Sequence, residues 1–236
     1  MRAIYFCENR SDWERVYCPA VKNGISEEFS IDEELYGKAD LGKTDFFRNF
    51  KGNYGAKVGI LGDGAIGAEV IKKLKEMKLD IYVFSITMTE EKAENLGVKL
   101  AGLDKIFKEC DVISNHLANN EKTKGIIGKT LLSKLKDYST FINTGRGAQV
   151  DEEALVEMLQ KNPTLTAVLD VTDPEPPQAD SPLFALPNLF LTPHIAGSAG
   201  SEVCRMAEYM FEESKRFKKG ETCFYEVALE MLNTMA

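Results

Sequence analysis

Lys57-Val58-Gly59-Ile60-Leu61-Gly62-Asp63-Gly64-Ala65-Ile66-Gly67 is the stretch that decides the fold. It opens as a short buried strand, Lys57–Leu61, and runs into glycines spaced G-x-G-x-x-G. A helical pattern follows, with Ile66, Val70, Ile71, Leu74 and Met77 on one apolar stripe. Glycines at that spacing serve many turns, so the spacing alone says little. Placed between a strand and a helix, they acquire a mechanism. Gly62 permits the tight turn, Gly64 lets backbone approach a pyrophosphate, and Gly67 lets helix and strand pack closely. The N–H groups and positive dipole end of the helix, at Ala65 and Ile66, then face the phosphates. The stretch predicts a dinucleotide site at Gly62, Gly64, Ala65, Ile66 and Gly67.

Downstream, apolar strands are expected at Ile81–Phe84, Val112–Ser114, Thr140–Asn143, Thr166–Leu169 and Leu189–Leu191. Helical patterns such as Glu152–Leu159 lie between them, and Ser201–Lys219 reads as one long amphipathic helix with Val203, Met206, Met210 and Phe217 on its apolar side. Strands alternating with helices predict an α/β fold, a doubly wound parallel sheet of the Rossmann type. The second strand of such a sheet ordinarily ends in an acidic residue that accepts from the adenine-side ribose hydroxyls. Here Ser85 stands there. Serine accommodates a ribose 2′-phosphate, yet no arginine follows and Lys92 is the nearest cation in sequence. NAD and NADP both stay open, and discrimination between them is expected to be weak.

Upstream the text is less regular. A strand is expected at Ala3–Cys7 and a helix from Ser11, followed by a polar segment, Asn23 to Asp45. The expected organisation is a partial substrate domain at residues 1–50, a dinucleotide-binding domain at 51–197, and a C-terminal helix and tail at 198–236 returning toward the substrate domain.

The charge balance is 29 basic against 37 acidic residues, a net −8. A negative surface repels phosphate backbones and anionic lipid, so neither nucleic acid nor membrane is an expected partner. No apolar run approaches the roughly 18 residues that cross a bilayer. The five cysteines form no C-x-x-C pair, which argues for reduced thiols in a cytoplasm and against a metal site.

Polar residues at the ends of the later strands carry the candidate chemistry. Arg146 follows the strand that ends at Asn143, in Asn143-Thr144-Gly145-Arg146-Gly147. Glu175 lies in Leu169-Asp170-Val171-Thr172-Asp173-Pro174-Glu175, and His194 in Leu191-Thr192-Pro193-His194. Ligands of open α/β sheets bind outside the carboxyl ends of the strands. An imidazole can exchange a hydroxyl proton, a neighbouring carboxylate stabilises its charged form, and a guanidinium grips a carboxylate substrate in two-point geometry. Singly, each has a plainer reading: a loop histidine, a strand-capping arginine, a solvated glutamate.

Taken together with the glycine fingerprint, with Ser114-Asn115-His116-Leu117 and with Asp151-Glu152-Glu153-Ala154-Leu155, they resemble the D-2-hydroxyacid dehydrogenase family from about Gly52 to the C-terminus. The resemblance implies an oxidoreductase that moves a hydride between NAD or NADP and a small 2-hydroxy or 2-keto acid, working as a homodimer. It implies catalytic roles for Arg146, which binds the substrate carboxylate and carbonyl, for His194 as acid/base, and for Glu175, which raises the pKa of His194. Thr144 and Asp170 fall on positions that line the cofactor, Asp170 near the nicotinamide amide. His116 reads as structural or cofactor-lining, and no metal is implied.

The departure from the family is at the front: the resemblance implies a full α/β substrate domain ahead of the fingerprint, interrupted in sequence by the cofactor domain, whereas only about 50 residues precede Gly52 here, enough for a strand, a helix and little more. Residues 1–40 resemble the start of such a domain, and an internal deletion near Asp40 to Asp45 is the favoured explanation, ahead of a compact variant. The alternative to a dehydrogenase is a catalytically weak or idle dinucleotide-binding module. A methyltransferase using the glycine turn is disfavoured, because Arg146, Glu175 and His194 would go unused.

Overall fold

Strand β1, Lys57–Leu61, alternates its side chains between the two faces of a sheet, and both faces are covered. Val58 and Ile60 point into one apolar cluster with Ile71, Ile81 and Val83. Leu61 points into the other, with Ile106, Phe107, Phe141 and Leu155. A strand buried on both sides reads as a near-continuous apolar run, which is why it was legible without alternation. The computed structural model describes residues 52–229 and 231. The expected strand at Ala3–Cys7, the helix from Ser11, the partial domain at residues 1–50 and the deletion near Asp40 to Asp45 lie outside the described residues.

The elements follow in strict alternation at first. Helix α1 is Ala65–Leu74, β2 Asp80–Phe84, α2 Glu90–Leu96, β3 Lys99–Leu100, α3 Leu103–Glu109 and β4 Val112–Asn115. Then come α4, Lys129–Leu132, β5, Thr140–Asn143, α5, Glu152–Lys161, β6, Thr166–Leu169, β7, Leu189–Leu191, and α6, Ser201–Lys219. The sheet order is β3-β2-β1-β4-β5-β6-β7, every pair parallel. The chain therefore winds outward in both directions from β1 and β4, and the crevice between them is the topological switch point. This is the doubly wound Rossmann-type sheet expected from the sequence.

Helices α1 and α2 cover one face through Ile71 and Ala93, while α3 and α5 cover the other through Ile106, Phe107, Leu155 and Leu159. Gly59 in β1 makes the second contact close: a Cβ there would lie 2.4 Å from Ile106 Cγ2. Helix α5 starts where the sequence stops it from starting earlier. The Asp151 carboxylate accepts from the Ala154 N–H at 3.0 Å, and Glu152 and Glu153 complement the dipole in the first turn.

One expectation about an apolar stripe is corrected. Helix α1 ends at Leu74, so Met77 lies beyond it and is 40% exposed, and Ile66 in its first turn is 66% exposed. Only the middle of the predicted stripe, Ile71 with partly buried Val70 and Leu74, packs on the sheet. Periodicity records which residues would share a face but not where the helix stops. In α6, Val203, Met206, Met210 and Phe217 do share a side, yet each is at least half exposed. No described helix is long and apolar enough to cross a membrane.

Candidate active site

The glycine turn has the physical properties its spacing predicts. Gly62 takes φ +92°, a conformation side chains rarely adopt, and a Cβ there would sit 2.7 Å from the His116 carbonyl oxygen. A Cβ on Gly67 would lie 2.1 Å from the Gly62 carbonyl, so helix and turn touch. Gly64, in contrast, faces open space, and a Cβ there meets nothing within 4 Å. That empty flank is where a pyrophosphate would approach. Gly64 also N-caps α1 without any side chain occupying the cap, and the first turn carries no acidic residue, so the N–H groups at Ala65 and Ile66 stay available to an anion. The exposed Ile66 borders this opening rather than the core.

Ser85 lies beyond β2, as expected, but it does not work alone. Its hydroxyl donates to Asp63 Oδ1 at 2.5 Å, and it accepts the N–H groups of Thr87 and Met88 at 3.0 and 2.9 Å. The Thr87 hydroxyl also donates to Asp63 Oδ1, at 3.0 Å, and Lys92 Nζ reaches Asp63 Oδ2 at 3.1 Å. Burial pushes the Asp63 carboxyl up, but hydrogen bonds from Ser85, Lys92 and Thr87 together pull it below the ordinary value. Sequence reasoning passed over Asp63 because it fills a free position of the fingerprint. The available signal was an acid inside the turn coupled with a missing acid at the end of β2.

On the far side of the switch point, β5, β6 and β7 end level with one another: Asn143 pairs with Leu169, and Leu169 with Leu191. Arg146, Asp170, Glu175 and His194 leave from these adjacent ends. His194 Nδ1 and Glu175 Oε1 are 2.5 Å apart, with both side chains partly exposed at 43% and 39%. His194 has φ +53°, a left-handed backbone that costs a non-glycine residue on the order of 1–3 kcal/mol. It is held there by its N–H, which donates to the Asp170 carbonyl at 2.9 Å.

The buried Asp170 carboxylate fixes the same loop. Its Oδ1 accepts from Thr192 Oγ1 at 2.5 Å and from the Ile195 N–H at 2.8 Å, and its Oδ2 from the Ala196 N–H at 2.9 Å. Asp170 thus positions His194, in addition to standing where the cofactor-lining role was expected. Thr144, also expected to line the cofactor, follows β5 directly and is half-buried.

Arg146 is exposed, with Nη1 donating to the Gly145 carbonyl at 2.7 Å. Its backbone is anchored by a buried amide network that the sequence reading did not single out. Asn115 Nδ2 donates to Asn143 Oδ1 at 2.9 Å and to Gln149 Oε1 at 2.7 Å. Asn143 Nδ2 in turn donates to the Arg146 carbonyl at 3.1 Å, and Gln149 Nε2 to the carbonyls of Leu117 and Ala118 at 2.9 and 3.0 Å. Gly147 completes the arrangement: a Cβ there would fall 2.1 Å from the Thr172 carbonyl carbon. The arginine loop and the glutamate loop therefore press backbone to backbone. His116 is half-buried, its Nε2 2.9 Å from Ser114 Oγ, and burial lowers its pKa below the ordinary imidazole value. No group of three His, Cys, Asp or Glu among the described residues is arranged to hold a metal ion.

A phosphate-cradling turn at a switch point, with a histidine–carboxylate pair and an arginine beyond the ends of β5, β6 and β7, is the arrangement of a Rossmann-type dinucleotide-binding domain. The family model for the D-isomer specific 2-hydroxyacid dehydrogenase NAD binding domain matches residues 36–196, and the chain belongs to that family. Among curated relatives, it is 36% identical over 166 residues to a D-3-phosphoglycerate dehydrogenase of Archaeoglobus fulgidus, covering 70% of this chain and 32% of the relative. A glyoxylate reductase of Korarchaeum cryptofilum is 36% identical over 168 residues, covering 71% of this chain and 51% of the relative. The chain thus spans about a third to a half of the length of these relatives. Among solved structures, a D-isomer specific 2-hydroxyacid dehydrogenase from Xanthobacter autotrophicus Py2, in complex with NADPH and MES, superposes with a TM-score of 0.62 at 29% identity. That match covers 73% of this chain and 71% of that one. D-lactate dehydrogenase from Lactobacillus jensenii, with NAD+, gives a TM-score of 0.67 at 26% identity, covering 83% and 63%.

Proposed function

We propose that the chain binds a nicotinamide dinucleotide at the Gly62–Gly67 turn and reduces a 2-keto acid to a D-2-hydroxy acid, reversibly. The observation that carries this reading is the His194–Glu175 pair, 2.5 Å apart in the loops that follow β7 and β6. When bound, a reduced nicotinamide supplies a hydride to the keto carbon. The oxygen left behind is too basic to remain unprotonated, and His194 supplies its proton. Glu175 engages Nδ1, fixes the ring, and leaves Nε2 as the nitrogen that exchanges the proton with substrate. Arg146 has N–H donors beyond the one spent on Gly145, and these grip the acid's carboxylate and polarise its carbonyl. Gly62, Gly64, Ala65, Ile66 and Gly67 hold the pyrophosphate, with Ser85 at the ribose end and Thr144 and Asp170 toward the nicotinamide.

For the whole protein, this reading places it in the cytoplasm as a homodimer. Residues 1–50 begin the substrate domain, 51–197 form the coenzyme domain, and α6 with the tail runs back toward the substrate domain. The exposed apolar side of α6 supports that course, since an apolar face of this kind marks an interaction surface.

The test is NADH oxidation followed at 340 nm with glyoxylate, pyruvate and hydroxypyruvate, beside a fluorescence titration of NADH. His194→Ala should lower kcat by about 10²–10⁴-fold while leaving NADH binding intact. Turnover indifferent to His194→Ala would remove His194 from the role of acid. NADH binding without turnover of any keto acid would favour the idle binding module instead.

A further inference from the structure

We propose that Asp63, from inside the glycine turn, supplies the carboxylate that the end of β2 lacks, and so makes the site select an unphosphorylated adenine-side ribose over a 2′-phosphorylated one. The inference deepens the coenzyme reading above and rests on it. Parallel register makes the substitution possible. Leu61 stands opposite Phe84, and the Gly62 N–H donates to the Phe84 carbonyl at 2.8 Å. The residue after Gly62 therefore comes alongside the residue after Phe84. A carboxylate at either position serves the same corner of the crevice.

The hydrogen bonds at that corner decide which ribose it accepts. Asp63 has only 6% of its side chain exposed, and hydroxyls from Ser85 and Thr87 both point their hydrogens at its Oδ1. Oδ2 takes one N–H from Lys92 and keeps a lone pair that can accept from a ribose hydroxyl. Ser85 has spent its one hydrogen on Asp63 and accepts two backbone N–H groups, so it has no hydrogen left for a phosphate oxygen. Lys92, the cation sequence reasoning offered to a 2′-phosphate, is already neutralised by Asp63. A 2′-phosphate brought here meets a buried negative charge with its local donors engaged. It could recruit Lys92 only by leaving Asp63 unpaired, and an unpaired carboxylate beside a phosphate is strongly unfavourable. The weak discrimination expected from Ser85 alone therefore gives way to a preference for NAD.

Dissociation constants of NADH and NADPH, titrated by fluorescence at one fixed ionic strength, test this in the full chain. The unmodified protein should bind NADH more tightly than NADPH by about tenfold or more, equal to about 1.4 kcal/mol. Asp63→Asn keeps the side chain's size, removes its charge and frees Lys92, and should narrow that ratio by about tenfold, mainly through tighter NADPH binding. Lys92→Met removes the neutralising cation through an exposed side chain, and should widen the ratio severalfold. Equal affinity for both coenzymes in the unmodified protein would overturn the proposal. So would a ratio that neither substitution moves. Failure of the unmodified protein to bind either coenzyme would instead overturn the coenzyme reading itself, and the proposal with it.

Discussion

Cys110 shows how far a single residue's chemistry is set by its surroundings. It packs in the core beneath Gly59 and Ile106, and burial pushes its thiol up to about 12 from 9.0. Only the thiolate is a nucleophile. In the native protein at pH 8, a maleimide should therefore label exposed Cys204 and leave Cys110 untouched, as read by peptide mass mapping. Labelling of Cys110 at the rate of Cys204 would contradict this environment. The same shift has a sign for stability. Below about pH 9 the thiol is protonated in folded and unfolded chains alike. Between 9 and 12 only the unfolded chain has released the proton, so stability falls as pH rises through that window. Cys110→Ala should flatten part of that alkaline decline in melting temperature. At the glycine turn the residue scale is steric: Gly67→Ala drives a methyl into the Gly62 carbonyl and should abolish NADH binding by distorting the turn, whereas Gly64→Ala leaves the fold intact and should weaken binding by placing a methyl on the flank where the pyrophosphate approaches. The roles of these glycines were legible because spacing and context are properties of the chain. Asp63 was not, because its partners arrive from β2 and α2 only once the sheet has formed.

At the scale of elements, α5 is the piece whose stability divides most cleanly between cap and core. Asp151→Ala removes one hydrogen bond at the helix start and should cost about 0.5–2 kcal/mol, read by urea unfolding. Leu155→Ala empties a fully buried site shared by both α5 and the sheet and should cost about 2–5 kcal/mol. The cap variant costing more than the core variant would reverse the account of what holds α5. This helix was readable in advance from the helical pattern Glu152–Leu159, as were β1, β5, β6 and β7 from their apolar runs. Four elements were not named by that reading: α2, β3, α3 and α4, each of at most 7 residues. In β3, two residues carry no period at all, and its place at the edge of the sheet comes from pairing with β2. The candidate site was legible as a set of residues at strand ends. The Asn115–Asn143–Gln149 network was hidden, since amides separated widely in sequence announce nothing until three loops meet.

For the molecule as a whole, the function proposed above carries a homodimer as its expected state in solution. Light scattering at low micromolar concentration should report a dimer, and a clean monomer of 26.3 kDa would refute that assembly. The net charge of −8 makes two copies repel, so an apolar dimer contact should tighten as added salt screens that repulsion. The sheet itself has a consequence of a different kind, through the contact at Gly147. Because the backbone after Arg146 lies flat against the peptide after Thr172, neither segment has room to take up a change in the other. Shuffling segments between this chain and its relatives would therefore reward moving residues 144–150 and 170–176 together. A chimera that exchanges one without the other inherits a mismatched pair of surfaces, and in a recombination library such crossovers should be depleted among folded, coenzyme-binding members.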